Sequence, residues 1–225
     1  MPLLLFDIDG TLLIKASDDH RDAIHAAMRR VYHVQHPETA RVEAAGRTDP
    51  SIARQIAIQA GVSVGRFEER MTDFKRCAAE EYAQRCRADL SAHVAEGVPE
   101  LLSELAERDD VILSLVTGNL EPIARIKLDR AGIGRYFARG QGGFGSDHED
   151  RTDLPGIARS RAGDGPGRPY PREQTVVIGD TPLDIACAHA DGVRCVAVAT
   201  GPYRAADLSA ADDVVGSARE LAALL

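Results

Sequence analysis

The stretch Leu3-Leu4-Leu5-Phe6-Asp7-Ile8-Asp9-Gly10-Thr11 is an apolar run that ends in two carboxylates and a glycine. A short unbroken apolar run beside a turn signal reads as a buried strand, here residues 3–8. Residues two apart on a strand share a face, so Asp7 and Asp9 are expected together at the carboxyl end of that strand. Two carboxylates so placed repel each other unless a cation lies between them or one keeps a proton. A hard cation with oxygen ligands, such as Mg²⁺, suits the pair. An acidic turn after an edge strand would explain the pair alone, but not the clusters below.

Outward from this run, apolar segments recur at 111–116, 175–178 and 194–199, with 136–138 as a weaker candidate strand. Helical patterns separate them at 99–108, 121–131, 153–162 and 183–190. Strands alternating with helices of this length predict an α/β fold with a Rossmann-like parallel sheet. The alternation breaks once, between 15 and 92. There Ile24, Ala27, Met28 and Val31, and then Phe67, Met71, Phe74, Ala78 and Tyr82, form helical stripes. The expected organisation is a core of 1–14 and 93–225 and an all-helical cap over 15–92, both of whose ends lie near the carboxyl edge of the sheet. A lid is the natural inference, although periodicity alone fits a bundle that serves only as packing mass. The Gly- and Pro-rich segment 162–174 reads as a surface connection. Glycines between 140 and 145 lack a following Gly-Lys-Ser/Thr and read as a mobile loop.

Two further clusters follow apolar runs. In Gly179-Asp180-Thr181-Pro182-Leu183-Asp184, Asp180 falls at the same sheet edge as Asp7. Pro182 suits a first helical turn that would bring Asp184 back toward it. Helix capping by Asp180 or Thr181 accounts for only one of these acids. In Thr117-Gly118-Asn119, a strand runs into a helix near Glu121-Pro122, where a hydroxyl and backbone N–H groups can cradle an anion or simply cap the helix.

Composition narrows the function. The chain has 225 residues, 44% hydrophobic and 28% charged, which fits a globular protein. The net charge of −8 and the absence of Trp disfavour nucleic-acid and anionic-membrane partners. Four cysteines without a CxxC read as reduced thiols, and the N-terminus lacks a signal-peptide pattern, so a cytoplasmic protein is expected. Of 27 basic residues only Lys15, Lys75 and Lys127 are lysines. The histidines, His20, His148 and His189 among them, read as surface or packing residues.

Taken together, Asp7-x-Asp9-Gly10-Thr11, Thr117 and Gly179-Asp180-x-x-x-Asp184 resemble the haloacid dehalogenase superfamily, with a helical cap after the first strand. The resemblance implies a Mg²⁺-dependent phosphatase, with Asp7 as nucleophile and Asp9 as general acid and then base. It implies a metal held by Asp7, the Asp9 backbone carbonyl, Asp180 and Asp184, and phosphoryl oxygens held by Thr117, Gly118 and Asn119. The family's further lysine is missing after Lys127, so Arg151 is expected in its place, with Arg159 and Arg161 as rivals.

Asp9 argues against a dehalogenase, and the lack of a lysine near Gly46-Arg47-Thr48 argues against phosphonate cleavage. A sugar-phosphate mutase, with Arg47 gripping a second anionic group, stays open. So does a non-catalytic phosphate-binding regulator, although its usual mark would be the loss of Asp7 or Asp9. The implied partner is a small phosphorylated metabolite, with phosphoglycolate as the family-based guess; oligomeric state is not legible.

Overall fold

The computed structural model describes all 225 residues. Its centre is β1 (Leu3–Phe6), every residue of which is buried. β1 pairs in parallel with β2 (Ile112–Thr117) on one side, Leu4 opposite Leu113, and with β4 (Thr175–Gly179) on the other, Leu4 opposite Val176. β3 (Gly143–Phe144) lies outside β2, while β5 (Arg194–Val198) and β6 (Asp213–Val215) extend the other edge, giving the order β3-β2-β1-β4-β5-β6.

A strand that is apolar on both faces needs cover on both. Leu4 and Phe6 face α5 (Val98–Ala106), α6 (Glu121–Arg130) and α9 (Ala218–Ala222) within one large apolar cluster. Leu3 and Leu5 face α7 (Leu154–Ala162) and α8 (Pro182–Asp191) within a second. From β1 the chain winds first through β2 and β3, then returns to β4 on the opposite side. The carboxyl ends of β1, β2 and β4 therefore meet at the point where the winding reverses, the crevice in which open α/β sheets bind ligands.

Between β1 and α5 come four helices: α1 (Asp18–Tyr32), α2 (Asp49–Gln59), α3 (Val64–Glu69) and α4 (Met71–Arg85). The stripe of α1 packs on that of α4, and the Tyr32 ring stacks on Phe67 at 5.1 Å while its hydroxyl donates to the Phe67 carbonyl. These cap residues share an apolar cluster with Phe6 and Leu128, so the cap rests directly on the core. Polar contacts add to the docking. Arg54 grips Glu149 with two bonds of 2.6 and 2.8 Å, and Lys75 donates to the Ser146 carbonyl at 2.7 Å. The two chain crossings are bonded to each other: Ile14 N–H donates to His93, and Ala95 N–H donates to Leu12.

Two expectations about strands need correction, and one strand was not foreseen. Residues 136–138 form no strand, since Gly134–Tyr136 is a 3-10 turn. The strand lies instead at Gly143–Phe144, inside the glycine run read as a loop. It is too short to show a pattern, and side chains hold it in place: Asp147 accepts the Phe144 N–H and is gripped by Arg161, while Arg125 donates to the carbonyls of Phe137, Ala138 and Gln141. A side chain at 143 or 145 would collide with the Leu154 or Gly118 carbonyl, which accounts for the glycines. The edge strand β6 went unread because it has only three residues and begins on the second acid of the Asp212-Asp213 pair.

Candidate active site

The structure draws Asp7, Asp180 and Asp184 together, with ligand oxygens all within 4.8 Å of one another. Asp7 is the first residue beyond β1, and Asp180 the first beyond β4. Asp184 arrives by a capping box: Thr181 caps α8 by accepting the Asp184 N–H, and Asp184 Oδ2 accepts from Thr181 N and Oγ1. Its other oxygen accepts from Arg151.

Arg151 opens a 3-10 turn that Asp150 caps through the Thr152 N–H. Its buried Nη2 donates to Asp7 Oδ1 at 2.9 Å and to Asp184 Oδ1, and its Nη1 donates to the Gly46 carbonyl of the cap at 3.0 Å. Of the rivals, Arg159 pairs with Asp191 and Arg161 with Asp147. An arginine fork thus reaches two core carboxylates from one nitrogen and the cap backbone from another, a spread that a lysine's single nitrogen does not reproduce. Arg151→Lys is expected to lower kcat/KM roughly 10²-fold through misplacement of the nucleophile. Steady-state kinetics on a folded variant would check this, and an unchanged value would refute the spanning role.

Electrostatically the cluster is short of positive charge. Burial pushes the Asp7 carboxyl up to about 7 despite the pull of Arg151, and Asp184 and Asp9 add to the rise. Burial, followed by Asp7 and Asp184, pushes Asp180 up to about 8. Asp180 Oδ1 accepts from Thr11, but Oδ2 is buried with no hydrogen-bond partner. Gly10 and Gly201 press so close to this carboxylate that a Cβ at either position would strike it. Three buried carboxylates with an unpartnered oxygen fit a small divalent cation with hard oxygen ligands.

Asp9 lines the same cleft as Asp7, but neither acid lies on the strand itself. β1 ends at Phe6, and the turn sends each acid to its own cation. Asp9 meets the Lys127 ammonium at 2.6 and 2.7 Å and accepts from the Asn119 amide at 2.8 Å. Burial would raise the Asp9 carboxyl, but Lys127 and, more weakly, His20 hold it down to about 2. Lys127 also lies 3.0 Å from His20 Nδ1, and His20 Nε2 lies 3.0 Å from Asp49 Oδ2.

None of Lys127, His20 and Asp49 was anticipated as a site residue, and the reading of His20 as an ordinary packing residue is corrected. A signal was present. Lys127 occupies the buried stripe of α6 with Ile123, Ala124 and Leu128, and His20 begins that of α1 with Ala23, Ile24 and Ala27. A polar residue placed on an apolar helix face calls for a buried partner.

The expected anion cradle at α6 is narrower than the sequence implied. Thr117 is fully buried, its hydroxyl accepting from the Asn119 N–H and side-chain amide. The Leu120 N–H donates to Asp49 and the Glu121 N–H to Ser146. Gly118 and Asn119 remain facing a cleft of about 530 Å³, whose lining also includes Asp7, Asp9, Asp180 and Arg151. Lys15, Arg21 and Arg47 line the same cleft.

This arrangement of acids beyond the ends of β1 and β4, beneath a helical cap, agrees with the match of the family model for haloacid dehalogenase-like hydrolases to residues 4–189. The chain belongs to that family. As a haloacid dehalogenase-like hydrolase, it is an enzyme. Solved structures share its fold at low identity. A predicted phosphatase from Clostridium acetobutylicum is 17% identical with a TM-score of 0.68, over 99% of this chain and 97% of that one. A predicted phosphoglycolate phosphatase from Haemophilus somnus is 19% identical with a TM-score of 0.66, over 100% and 97%. A mutant of CbbY from Rhodobacter sphaeroides, solved with xylulose-1,5-bisphosphate, is 18% identical with a TM-score of 0.62, over 98% and 96%. No curated protein matches the chain. None of the helices of this hydrolase is long and apolar enough to cross a membrane.

Proposed function

We propose that this hydrolase cleaves a small phosphate monoester, with Asp7 as the nucleophile and Mg²⁺ as the cofactor. The observation that carries the reading is that the Asp7 and Asp9 carboxylates line one cleft, each beside its own cation. Asp7, Asp180 and Asp184 would hold the metal, which when bound would neutralise charge on the phosphoryl group.

In this reading an Asp7 oxygen attacks phosphorus, and the bond to the ester oxygen breaks as the leaving alcohol takes a proton from Asp9. Asp9 is a carboxylate in the free protein, so that proton enters with the substrate as its phosphate monoanion. Asp9 then removes a proton from water, which attacks phosphorus and frees Asp7 and inorganic phosphate. Arg151 orients Asp7, and Gly118 and Asn119 contact the phosphoryl oxygens, with Thr117 bracing Asn119 from behind. Lys15, Arg21 and Arg47 favour an anionic metabolite despite the net charge of −8.

The test is phosphate release from a panel of monoesters, phosphoglycolate included, with Mg²⁺ and with chelator. Release that the chelator stops supports the reading, whereas no release across the panel overturns it. The second reading is a sugar-phosphate mutase, favoured by Arg47 in the cleft; isomerised product without net phosphate would establish it.

A further inference from the structure

Lys127 is a lysine without any exposed surface, in a chain that otherwise meets its buried cation needs with arginine. Arg125, Arg151 and Arg159 each spread several hydrogen bonds over fixed acceptors. Lys127 instead directs its ammonium to both oxygens of Asp9 and to His20 Nδ1. Because the ammonium can only donate, Nδ1 accepts and Nε2–H donates to Asp49. Asp49 in turn accepts the Leu120 N–H at the head of α6, and its own N–H donates to the Gly118 carbonyl.

The chain Asp9–Lys127–His20–Asp49–Leu120 thus starts and ends in the core and passes through α1 and α2 of the cap on the way. Asp9 has one further side-chain support in the core, the Asn119 amide, and a long contact of 3.3 Å from Ser17.

We propose that Lys127 is a positioning residue that aims the Asp9 carboxylate at the leaving oxygen, and that His20 and Asp49 hold Lys127 in this pose only while the cap is docked. The inference rests on the phosphatase reading and deepens it. Proton delivery to the alcohol then becomes tied to closure of the cap, since an undocked cap withdraws His20 from Lys127 and Asp49 from α6.

The ester itself supplies the test. An alkyl ester needs a proton on its departing oxygen, whereas p-nitrophenolate leaves without one, so a defect in aiming Asp9 falls on the first substrate and spares the second. The reading is kcat/KM, which covers the steps through departure of the alcohol. For Lys127→Met, kcat/KM on the best alkyl ester of the panel is expected to fall roughly 10²-fold, within the range of a lost general acid. On p-nitrophenyl phosphate it is expected to change less than about 3-fold.

His20→Asn, which leaves the Lys127–Asp9 pair in place, is expected to show a smaller loss with the same bias, and it serves if Lys127→Met does not fold. Equal losses on both esters in the folded variants would overturn the positioning role while leaving the phosphatase intact. A wild type that releases phosphate from neither ester would overturn the phosphatase reading and this inference with it.

Discussion

Asp7→Asn is expected to lower phosphate release from every monoester by roughly 10⁴–10⁶-fold, the scale on which a lost nucleophile is felt. An amide of the same size keeps the packing but cannot form the acyl phosphate. The loss should not come from unfolding. Asp7 is buried at the end of β1 against Asp180 and Asp184, and replacing its carboxylate removes a source of mutual repulsion. Arg151 keeps its bond to Asp184 in the variant. The expected result is therefore an inactive protein with an unchanged circular dichroism spectrum and a melting temperature at or above the wild type's. Activity within 10-fold of wild type would remove Asp7 from the nucleophile's role.

The second large effect concerns the metal and pH. With Asp7 up to about 7 and Asp180 up to about 8, the folded metal-free protein holds protons that the unfolded chain has already released above about pH 5. Where the unfolded state binds fewer protons, stability falls as pH rises, so the metal-free protein is expected to weaken between about pH 5 and pH 8. A divalent cation displaces those protons and reverses the trend. Adding Mg²⁺ should therefore raise the melting temperature more at pH 8 than at pH 5.5. The difference should be on the order of 5–10 °C, that is, a few kcal/mol for a chain of this size. Thermal unfolding with chelator and with Mg²⁺ at the two pH values measures it directly; a Mg²⁺-induced shift that shrinks as pH rises would contradict the carboxylate cluster as the metal site.

The sheet was legible because its central strands are apolar on both faces, and Asp7, Asp180 and Asp184 because each stands just beyond such a run or one helical turn away. The placement of Arg151 was also within reach, since a helix start is visible after it. What escaped was whatever depends on contact between distant segments. β3 is held by Arg125, Arg161 and Asp147 rather than by its own residues. Lys127, His20 and Asp49 come from α6, α1 and α2, and no local spacing relates them. The expectation that Asp7 and Asp9 lie on the strand itself failed for a simpler reason: the strand stops at Phe6, before either acid.

The crossings at Leu12–Ile14 and His93–Ala95 are tied to each other by backbone hydrogen bonds. Where the chain leaves the core and where it returns are adjacent strands of a small antiparallel ribbon, so topologically the four cap helices are the loop of a hairpin. A loop can lengthen without disturbing the order of the sheet it springs from, because both of its ends are already fixed side by side. Changes in the length or sequence of the cap therefore leave the register of the sheet, and the acids beyond its strand ends, undisturbed.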